Sequence, residues 1–283
     1  MDKKERVSVF EQTKKCSQEW KYTNSNGKEV RLLREDYGMK FSDAKLFDHD
    51  LTKQIKSLPD IPNYETEITV ENCDCLYVAC RLVDDGFNPA VLNMASYIRP
   101  GGGVAKGSAA QEESLCRRTN LYQSISQFDN PKLKHRYPLD INYGAIYSPV
   151  VSIFRLSESE DCQFMSTPYT VDVISAAAIK QPELNGNKLS QKAWKMLKNK
   201  VRTILNLGIY YRNDSLVLGA FGCGAYGTPP DEMAQLFKTV ISEEPYNHAF
   251  KKIIFAVLDD ANAHREHNPD GNYLPFKRTF DVQ

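Results

Sequence analysis

Residues 90–113 of the 283-residue chain read AVLNMASYIRPGGGVAKGSAAQEE. The apolar run at residues 90–95 is typical of a strand buried on both faces of a sheet. Three successive glycines follow, and two adjacent glutamates stand in the first turn of a predicted helix. In open α/β sheets, ligands bind at loops that leave the carboxyl ends of strands. We therefore expect a functional site at this glycine-rich loop.

The same alternation of apolar runs and amphipathic segments continues from about residue 67. Predicted strands cover residues 68–70, 90–95, 144–147, 171–176, 216–219 and 253–258. Predicted helices lie at residues 73–84, 111–128, 190–207 and 230–242. Strands that alternate with helices favour an α/β fold, a three-layer α/β/α sandwich whose central sheet is mixed but mainly parallel.

The first 65 residues are the most polar part of the chain. They predict a charged helix from about Lys3 to Trp20, a turn at residues 24–27 and an apolar stretch from Val30 to Leu33. We expect residues 1–65 to form an N-terminal helical extension packed on a core of residues 66–283, with a disordered arm as the alternative. Since α/β folds often use about 250 residues in one core, the chain is interpreted as a single structural domain.

The charge balance excludes several classes of protein. The chain has 36 Lys and Arg against 36 Asp and Glu and a pI near 6.9. Proteins held on nucleic acid by bulk electrostatics usually have a pI above about 9. The longest uncharged run, residues 215–230, is broken by glycines and prolines and is shorter than the ~20 apolar residues of a membrane span. We expect neither direct nucleic-acid binding nor a membrane-spanning segment.

The cysteines and histidines indicate an intracellular protein without a metal. Seven cysteines at irregular positions fit reduced thiols in the cytoplasm, or in a nucleus, better than a disulfide framework. The charged N-terminus lacks the apolar stretch of a secretory signal. Neither the Cys73/Cys75 pair nor the His264/His267 pair has a partner pair at the spacing of a zinc site. We expect no metal and no cofactor.

A second glycine-rich stretch, GAFGCGAYGTPP, occupies residues 219–230. Pro230 can open the following helix at its first turn. Backbone N–H groups in such a loop, together with the positive end of the helix, suit a diphosphate. The stretch is neither a G-x-G-x-x-G fingerprint nor a Walker loop, since no Gly-Lys-Ser/Thr follows. Cys223 has no histidine beside it in sequence, so packing is favoured over a nucleophilic role.

The adjacent Glu112 and Glu113 have two interpretations. Acidic residues in the first turn of a helix complement its dipole and contribute about a few tenths of a kcal/mol each. Alternatively, two adjacent carboxylates raise at least one of their pKa values. A glutamate that holds a proton near neutral pH can then act as a general acid, and a glycosidic bond is a natural target.

Two arginines follow the glutamates in the same predicted helix. Arg117 and Arg118 could grip a polyanionic substrate. Because one of two adjacent helix positions usually faces solvent, we expect at most one of them to have a structural role.

These motifs together resemble those of a known family. The triple glycine, the seven-residue gap and Gln111-Glu112-Glu113 resemble the signature of poly(ADP-ribose) glycohydrolases, and LCRRTNLY at residues 115–122 resembles the microbial-type branch. Further similarity lies at residues 146–150, 154–155, 216–224 and 255–258. The resemblance covers about residues 67 to 260. It implies a macrodomain fold, ADP-ribose as the ligand, and a hydrolase of the glycosidase class that uses no metal.

The resemblance also implies roles for individual residues. Glu113 would be the catalytic acid/base, and Glu112 would hold a ribose hydroxyl and help to position the substrate. The same distal ribose would be contacted by Asn93 and wrapped by Gly101, Gly102 and Gly103, with Gln111 also among the ligand-binding residues. The diphosphate would be cradled by Gly222, Cys223, Gly224, Ala225 and Tyr226. Asn72 and Asp74 are candidates for contacts with adenine.

The implied reaction is hydrolysis of the ribose–ribose bond of poly(ADP-ribose), releasing ADP-ribose. Two alternatives remain open: a mono-ADP-ribosyl hydrolase acting on modified protein side chains such as arginine, and a binding module that recognises ADP-ribose without turnover. Either enzyme would reverse ADP-ribosylation, for example in a DNA damage response. We expect a monomer whose partners are poly(ADP-ribose) or ADP-ribosylated protein.

Overall fold

The computed structural model describes residues 1–32, 41–58, 60–259 and 263–281. In these ranges the helices are α1 (Lys3–Glu19), α2 (Thr52–Lys56), α3 (Cys75–Asp84), α4 (Gln111–Arg118), α5 (Leu121–Ser126), α6 (Gln191–Tyr210), α7 (Pro230–Ile241) and α8 (Tyr273–Phe280). The strands are β1 (Lys21–Thr23), β2 (Glu29–Arg31), β3 (Lys45–Phe47), β4 (Glu67–Glu71), β5 (Pro89–Met94), β6 (Ala145–Arg155), β7 (Phe164–Ala176), β8 (Leu184–Asn185), β9 (Lys188–Leu189), β10 (Ser215–Leu218) and β11 (Lys252–Ala256).

Seven of the strands form one central sheet in the order β3-β6-β7-β5-β10-β11-β4. All neighbours from β7 to β4 are parallel, whereas β6 is antiparallel to both β3 and β7. The prediction of a mixed, mainly parallel sheet is therefore confirmed. Strands β5 and β10 are adjacent, with Val91 opposite Val217, so the two glycine-rich loops leave the sheet side by side at its carboxyl edge.

Helices cover both faces of the sheet, which confirms the predicted three layers. On one face, α1, α3 and α4 bury side chains such as Phe10, Leu76 and Leu115. On the other face, α6 and α7 bury side chains such as Leu197 and Phe237. Each such side chain contributes roughly 1.5–3 kcal/mol when it is removed from water. The core thus holds the strand ends, and the loops that follow them, in one fixed arrangement.

The helices begin where the sequence supplies capping residues. The side chain of Asp2 accepts the N–H of Glu5, and the Glu5 side chain accepts the N–H of Asp2, so a capping box starts α1. Asp74 accepts two backbone N–H groups and starts α3. Pro230 occupies the first turn of α7, as its position in the sequence predicts.

The predicted helix at residues 111–128 is wrong in one respect, because it is two helices. Thr119 is extended, with φ −136° and ψ 171°, and pairs with Ile153 of β6. The side chain of Asn120 accepts the N–H of Ser152 over 2.8 Å. Bonding to β6 therefore replaces one turn of helix and separates α4 from α5.

The N-terminal segment contacts the core at several places. Helix α1 packs against α4 and against the short 3-10 turn Val104–Lys106, while β3 pairs with β6 and so joins the central sheet. Leu33 of the predicted apolar stretch lies outside the described residues, and the division between residues 65 and 66 stays a prediction. Among the described helices, none is long and apolar enough to span a membrane.

Candidate active site

A cleft of about 1420 Å³ opens at the carboxyl edge of the sheet. The first glycine loop, residues 101–110, and the second, residues 219–229, both contribute to its wall. Of the residues predicted for the site, those that line the cleft are Asp74, Gly102, Gly103, Gln111, Glu112, Glu113, Gly222, Gly224, Ala225 and Tyr226. The tertiary structure thus brings the glycine loops and the two glutamates together.

The first glycine loop holds both glutamates through its backbone. The N–H of Gly101 donates to Oε1 of Glu112 over 3.1 Å, and the N–H of Gly103 donates to Oε1 of Glu113 over 2.8 Å. The N–H of Ser96, just after β5, donates to Oε2 of Glu112 over 2.7 Å. Gly101 itself is buried and does not belong to the described cleft wall. These backbone donors define where each carboxyl group lies.

Glu112 is 4% exposed. Burial raises the pKa of Glu112 to about 8, although the N–H of Ser96 opposes the rise, and the negative charge of Glu113 raises it further. The expectation that a neighbouring charge raises at least one pKa of the pair therefore holds, but burial is the larger cause. The raised pKa favours the neutral form of Glu112, which lessens the negative charge beside Glu113.

Glu113 has one oxygen that nothing in the described part of the chain binds. Its Oε1 is held by Gly103, whereas its buried Oε2 has no hydrogen-bond partner among the described residues. The side chain lines the cleft. A buried carboxyl oxygen without a partner is costly unless a ligand completes its bonding. Oε2 of Glu113 is therefore the oxygen available to a substrate.

The glutamates themselves require the glycines of the first loop. Gly102 has φ +54°, and a Cβ built on it would lie 2.6 Å from Oε1 of Glu113 and 3.0 Å from Oε2 of Glu112. A Cβ on Gly103 would lie 2.3 Å from Oγ of Ser108. Any side chain at either position would displace the carboxyl groups or the loop.

Two residues predicted to contact the ligand also make contacts inside the protein. Asn93 is fully buried, its Nδ2 donates to Oγ of Ser175 over 3.0 Å, and it also hydrogen-bonds to Glu112. Gln111 accepts the N–H of Met94 over 2.9 Å and donates to a carbonyl of β5. Gln111 thus ties α4 to β5 while it lines the cleft, and Oδ1 of Asn93 has no partner among the described residues, so both ligand contacts stay predictions.

The second glycine loop presents its backbone to the cleft. Within the described part of the chain, no hydrogen bond uses the backbone N–H groups of Gly222, Gly224, Ala225 and Tyr226. Gly222 has φ +80°, and a Cβ on it would lie 2.7 Å from Cβ of Ala178. Free N–H groups close to the first turn of α7 form a site suited to phosphate oxygens.

The side chain of Cys223 packs inside the protein, in agreement with the sequence analysis. Cys223 is fully buried, and its Sγ lies 3.7 Å from the carbonyl oxygen of Phe221. Burial raises the pKa of this thiol well above its ordinary value, so it is not a nucleophile. Tyr226 does line the cleft, where its hydroxyl accepts the N–H of Tyr97 over 3.2 Å.

A segment near the C-terminus supports the second loop, and no sequence motif indicates this role. Nε2 of His267 lies 2.8 Å from the carbonyl oxygen of Cys223, and Nδ2 of Asn268 donates to the same oxygen over 3.3 Å. From the sequence, the histidines are considered only as possible metal ligands. Contacts across 44 or 45 residues have no local pattern, so only the tertiary structure reveals them.

Both arginines that follow the glutamates are buried, so the expectation that at most one has a structural role is wrong. Arg117 is 1% exposed and Arg118 is 5% exposed. Nη1 of Arg118 donates to Oδ2 of Asp74 over 2.7 Å. Nη1 of Arg117 donates to the carbonyl of Ser108 over 2.6 Å. Helix α4 is covered on both sides, since it packs against α1 as well as the sheet.

The cysteines and histidines form no metal centre in the part of the chain that the structure describes. No group of three or more His, Cys, Asp or Glu side chains there could hold an ion. His264 contacts the carbonyl oxygen of Pro269 instead. All seven cysteines lie at described positions and are free thiols.

Comparisons with known proteins point to one family. The family model of the microbial-type PARG catalytic domain, where PARG is poly(ADP-ribose) glycohydrolase, matches residues 11–156, just over half of the chain. A search of the curated proteins finds no match.

Several solved structures are similar over most of the chain. PARG from Thermomonospora curvata has a TM-score of 0.80 and 26% identity, covering 97% of this chain and 99% of that chain. The same protein bound to the inhibitor ADP-HPD has a TM-score of 0.79 and 25% identity over the same shares. PARG from Deinococcus radiodurans in complex with ADP-ribose has a TM-score of 0.69 and 27% identity, covering 85% of this chain and 95% of that chain.

Proposed function

The chain belongs to the microbial-type PARG family, and we propose that it hydrolyses the ribose–ribose O-glycosidic bond of poly(ADP-ribose) to release ADP-ribose, with Glu113 as the acid/base. The observation that carries the assignment of Glu113 is its free oxygen. Both oxygens of Glu112 accept backbone N–H groups, whereas Oε2 of Glu113 is buried at the cleft without a partner in the described chain. Both glutamates line the cleft, and Glu113 is the one of the pair with an unpartnered oxygen to offer to the glycosidic bond.

The pair supplies the proton that the reaction needs. Burial raises the pKa of Glu112 to about 8, and in the proposed reaction the substrate meets the pair with one proton bound, carried by Glu113. Glu113 passes this proton to the leaving 2′-oxygen as the glycosidic C–O bond breaks, and the bonding electrons leave with that oxygen. An oxocarbenium ion remains on the distal ribose. The Glu113 carboxylate then takes a proton from water, whose oxygen attacks the cation.

One carboxyl group thus acts first as acid and then as base. Most glycosidases instead divide these tasks between two carboxyl groups about 5–9 Å apart. The diphosphate of the substrate, bound close to the distal ribose, favours the developing cation electrostatically.

The cleft suggests a place for each part of ADP-ribose. The diphosphate lies on the free N–H groups of the second glycine loop, and the distal ribose lies over Gly102 and Gly103 within reach of Glu113. Tyr226 covers the ribose face. The adenine lies toward Asp74, which lines the cleft, whereas Asn72 is not part of the described wall.

A polymer is favoured over a single modified side chain as the substrate. The cleft volume of about 1420 Å³ exceeds the ~300–1,000 Å³ of ordinary small-molecule pockets. A longer substrate accounts for this size better than one ADP-ribose unit. The alternative of a binding module is disfavoured, because binding alone requires no buried glutamate with an unpartnered oxygen. We also propose that the protein acts as an intracellular monomer; the seven free thiols support the intracellular location.

The test is product analysis after incubation with purified poly(ADP-ribose). The wild-type chain should release ADP-ribose, and Glu113→Gln should lower the rate by at least ~10²-fold while it keeps ADP-ribose affinity within a few-fold. Arginine-modified protein serves as the competing substrate.

Asp231→Asn is the matched control, since Asp231 is an exposed acid in the first turn of α7. If both glutamates only complemented the helix dipole, Glu113→Gln and Asp231→Asn would behave alike. A Glu113→Gln variant with a rate near wild type shows that the assignment is wrong, and a wild-type chain that binds but releases no product supports the binding module.

A further inference from the structure

A chain of ionic contacts outside the glutamate pair ends on the first glycine loop. Nη1 of Arg117 donates to the carbonyl of Ser108 over 2.6 Å, and Nη2 of Arg117 donates to Oε2 of Glu158 over 3.4 Å. The other oxygen of Glu158 accepts Nε and Nη2 of Arg6, on α1, over 2.7 and 2.5 Å. We refer to these three side chains as the Arg6–Glu158–Arg117 bridge.

Helix α1 also touches the loop and α4 directly. Gly107 has φ +74°, and a Cβ built on it would lie 2.4 Å from the carbonyl oxygen of Lys3. Oγ1 of Thr13 donates to the carbonyl of Arg117 over 2.6 Å. The backbone of α1 therefore lies against the far end of the first glycine loop, with no space for a side chain between them.

The end of the loop that the bridge holds is coupled to Glu113. The N–H of Ser108 donates to the carbonyl of Gly103 over 3.3 Å, and Oγ of Ser108 occupies the space where a Cβ of Gly103 would lie. The N–H of Gly103 in turn holds Oε1 of Glu113 over 2.8 Å. A shift of Ser108 therefore shifts the donor that orients the carboxyl group.

From these contacts we propose that Arg117 and Glu158 are positioning residues for Glu113, and that α1, through Arg6, forms part of the support of the active site. This inference rests on the proposed function of Glu113. A displacement of about 1 Å at a catalytic group can cost up to about 10²-fold in rate. Glu158 belongs to the described cleft wall, whereas Arg6 and Arg117 do not, so Arg6→Met tests the support apart from any contact with the substrate.

The bridge keeps its charges through the neutral range. Partial burial opposes ionisation of Glu158, but the hydrogen bond and charge of Arg6, followed by the charge of Arg117, hold the pKa of Glu158 below its ordinary value of 4.5. A lowered pKa means that the ionic contacts are complete above pH 4.5 and are lost only as the pH falls through the lower value. The test therefore belongs near neutral pH, where wild-type Glu158 is ionised.

The first experiment measures kcat and KM for polymer hydrolysis in Arg6→Met and Glu158→Gln. We expect kcat to fall about tenfold in Glu158→Gln and less in Arg6→Met, with KM within about threefold, because the second glycine loop is unchanged. The matched control is Arg202→Met, which breaks an ion pair of similar geometry to Glu243, with distances of 2.9 and 2.8 Å, away from the cleft wall. Its kcat should stay within about twofold of wild type.

The second experiment separates geometry from charge with Arg117→Lys. Lysine keeps the positive charge but replaces with a single nitrogen the two nitrogens through which Arg117 contacts Ser108 and Glu158 separately. We expect kcat to fall about as far as in Glu158→Gln. Because Arg117 is buried, the melting temperature of each variant is measured, and Arg6→Met decides the outcome if Arg117→Lys does not fold.

The proposal is overturned if folded Arg6→Met and Glu158→Gln both keep kcat within about twofold of wild type, or if they raise KM at constant kcat. It is equally overturned if Arg202→Met loses as much kcat, since the loss then reflects general destabilisation. Failure of the proposed function would give a different result. In that case the Glu113→Gln variant would hydrolyse the polymer at a rate near wild type.

Discussion

The two glycine-rich loops of the cleft use their backbone N–H groups in opposite ways. In the first loop, the N–H groups of Gly101 and Gly103 are bound to the carboxyl oxygens of the glutamates. In the second, the N–H groups of Gly222 and Gly224 have no acceptor among the described residues and face the cleft. The first loop therefore positions side chains of the protein, whereas the second offers its own backbone to a ligand.

The two loops are both rich in glycine, but they require glycine for different reasons. At Gly102 the carboxyl oxygens leave no room for a Cβ. At Gly222 a Cβ would lie 2.7 Å from Cβ of Ala178, and its nearest neighbours do not include the glutamates. Substitutions in the first loop should therefore affect turnover, and substitutions in the second should affect ligand affinity.

The largest effect is expected from Gly102→Ala. The new Cβ would fall within 3.0 Å of both glutamates, so kcat should drop by at least ~10²-fold while ADP-ribose affinity changes only a few-fold. Gly86→Ala is the control for backbone strain, because Gly86 has φ +82° with nothing within 4 Å of its Cβ position. A Gly102→Ala enzyme with kcat within tenfold of wild type would remove the basis for assigning a positioning role to the first loop.

A smaller effect is expected from Gly222→Ala. The clash with Ala178 should move the second loop and weaken ADP-ribose binding about tenfold, with less change in kcat. The measurement is the rise in melting temperature with ADP-ribose, which follows RT ln(1 + [L]/Kd). Gly227→Ala, at φ +77° and with nothing within 4 Å, controls for strain in the same loop. Equal affinity in the two variants would contradict the comparison.

The first loop also encloses a carboxyl group that titrates near neutral pH, and Glu112→Gln tests this. Because burial raises the pKa of Glu112 to about 8, the folded state binds more protons than the unfolded state from about pH 4.5 to 8. Wild-type stability should therefore fall as the pH rises through that window, by about 1 kcal/mol from pH 6 to 7. Denaturant unfolding at both pH values should show a smaller fall in Glu112→Gln. An identical fall would mean that Glu112 is not buried as an acid.

The smallest effect on ligand affinity is expected from His267, which contacts the second glycine loop at the carbonyl oxygen of Cys223. His267→Ala removes the contact to the carbonyl oxygen of Cys223, so ADP-ribose affinity should weaken about threefold at unchanged kcat. His248→Ala is the control, because His248 contacts the carbonyl oxygen of Tyr64 and is not part of the described cleft wall. A lower kcat in His267→Ala would assign this histidine to the chemistry rather than to the loop.

The fold could be predicted where the local pattern is strong. Strands β5, β10 and β11 are continuous apolar runs because both of their faces are buried. The length of β6 could not be predicted, because Pro149 interrupts the pattern and Val150 lies at φ +53° where the register with β7 shifts. The end of α4 could not be predicted either, because Thr119 leaves the helix to pair with Ile153, which is distant in sequence.

The sequence by itself determined the α/β class, the two glycine loops and the adjacent glutamates, since periodicity and glycine content are properties of neighbouring residues. Only the tertiary structure decided which glutamate keeps a free oxygen, and that Asn93 is fully buried beside Ser175. It also decided that Arg6 supports a loop about one hundred residues away in sequence. The physical reason is that burial and hydrogen bonding depend on which distant segments meet, and nothing in the spacing of neighbouring residues encodes those meetings.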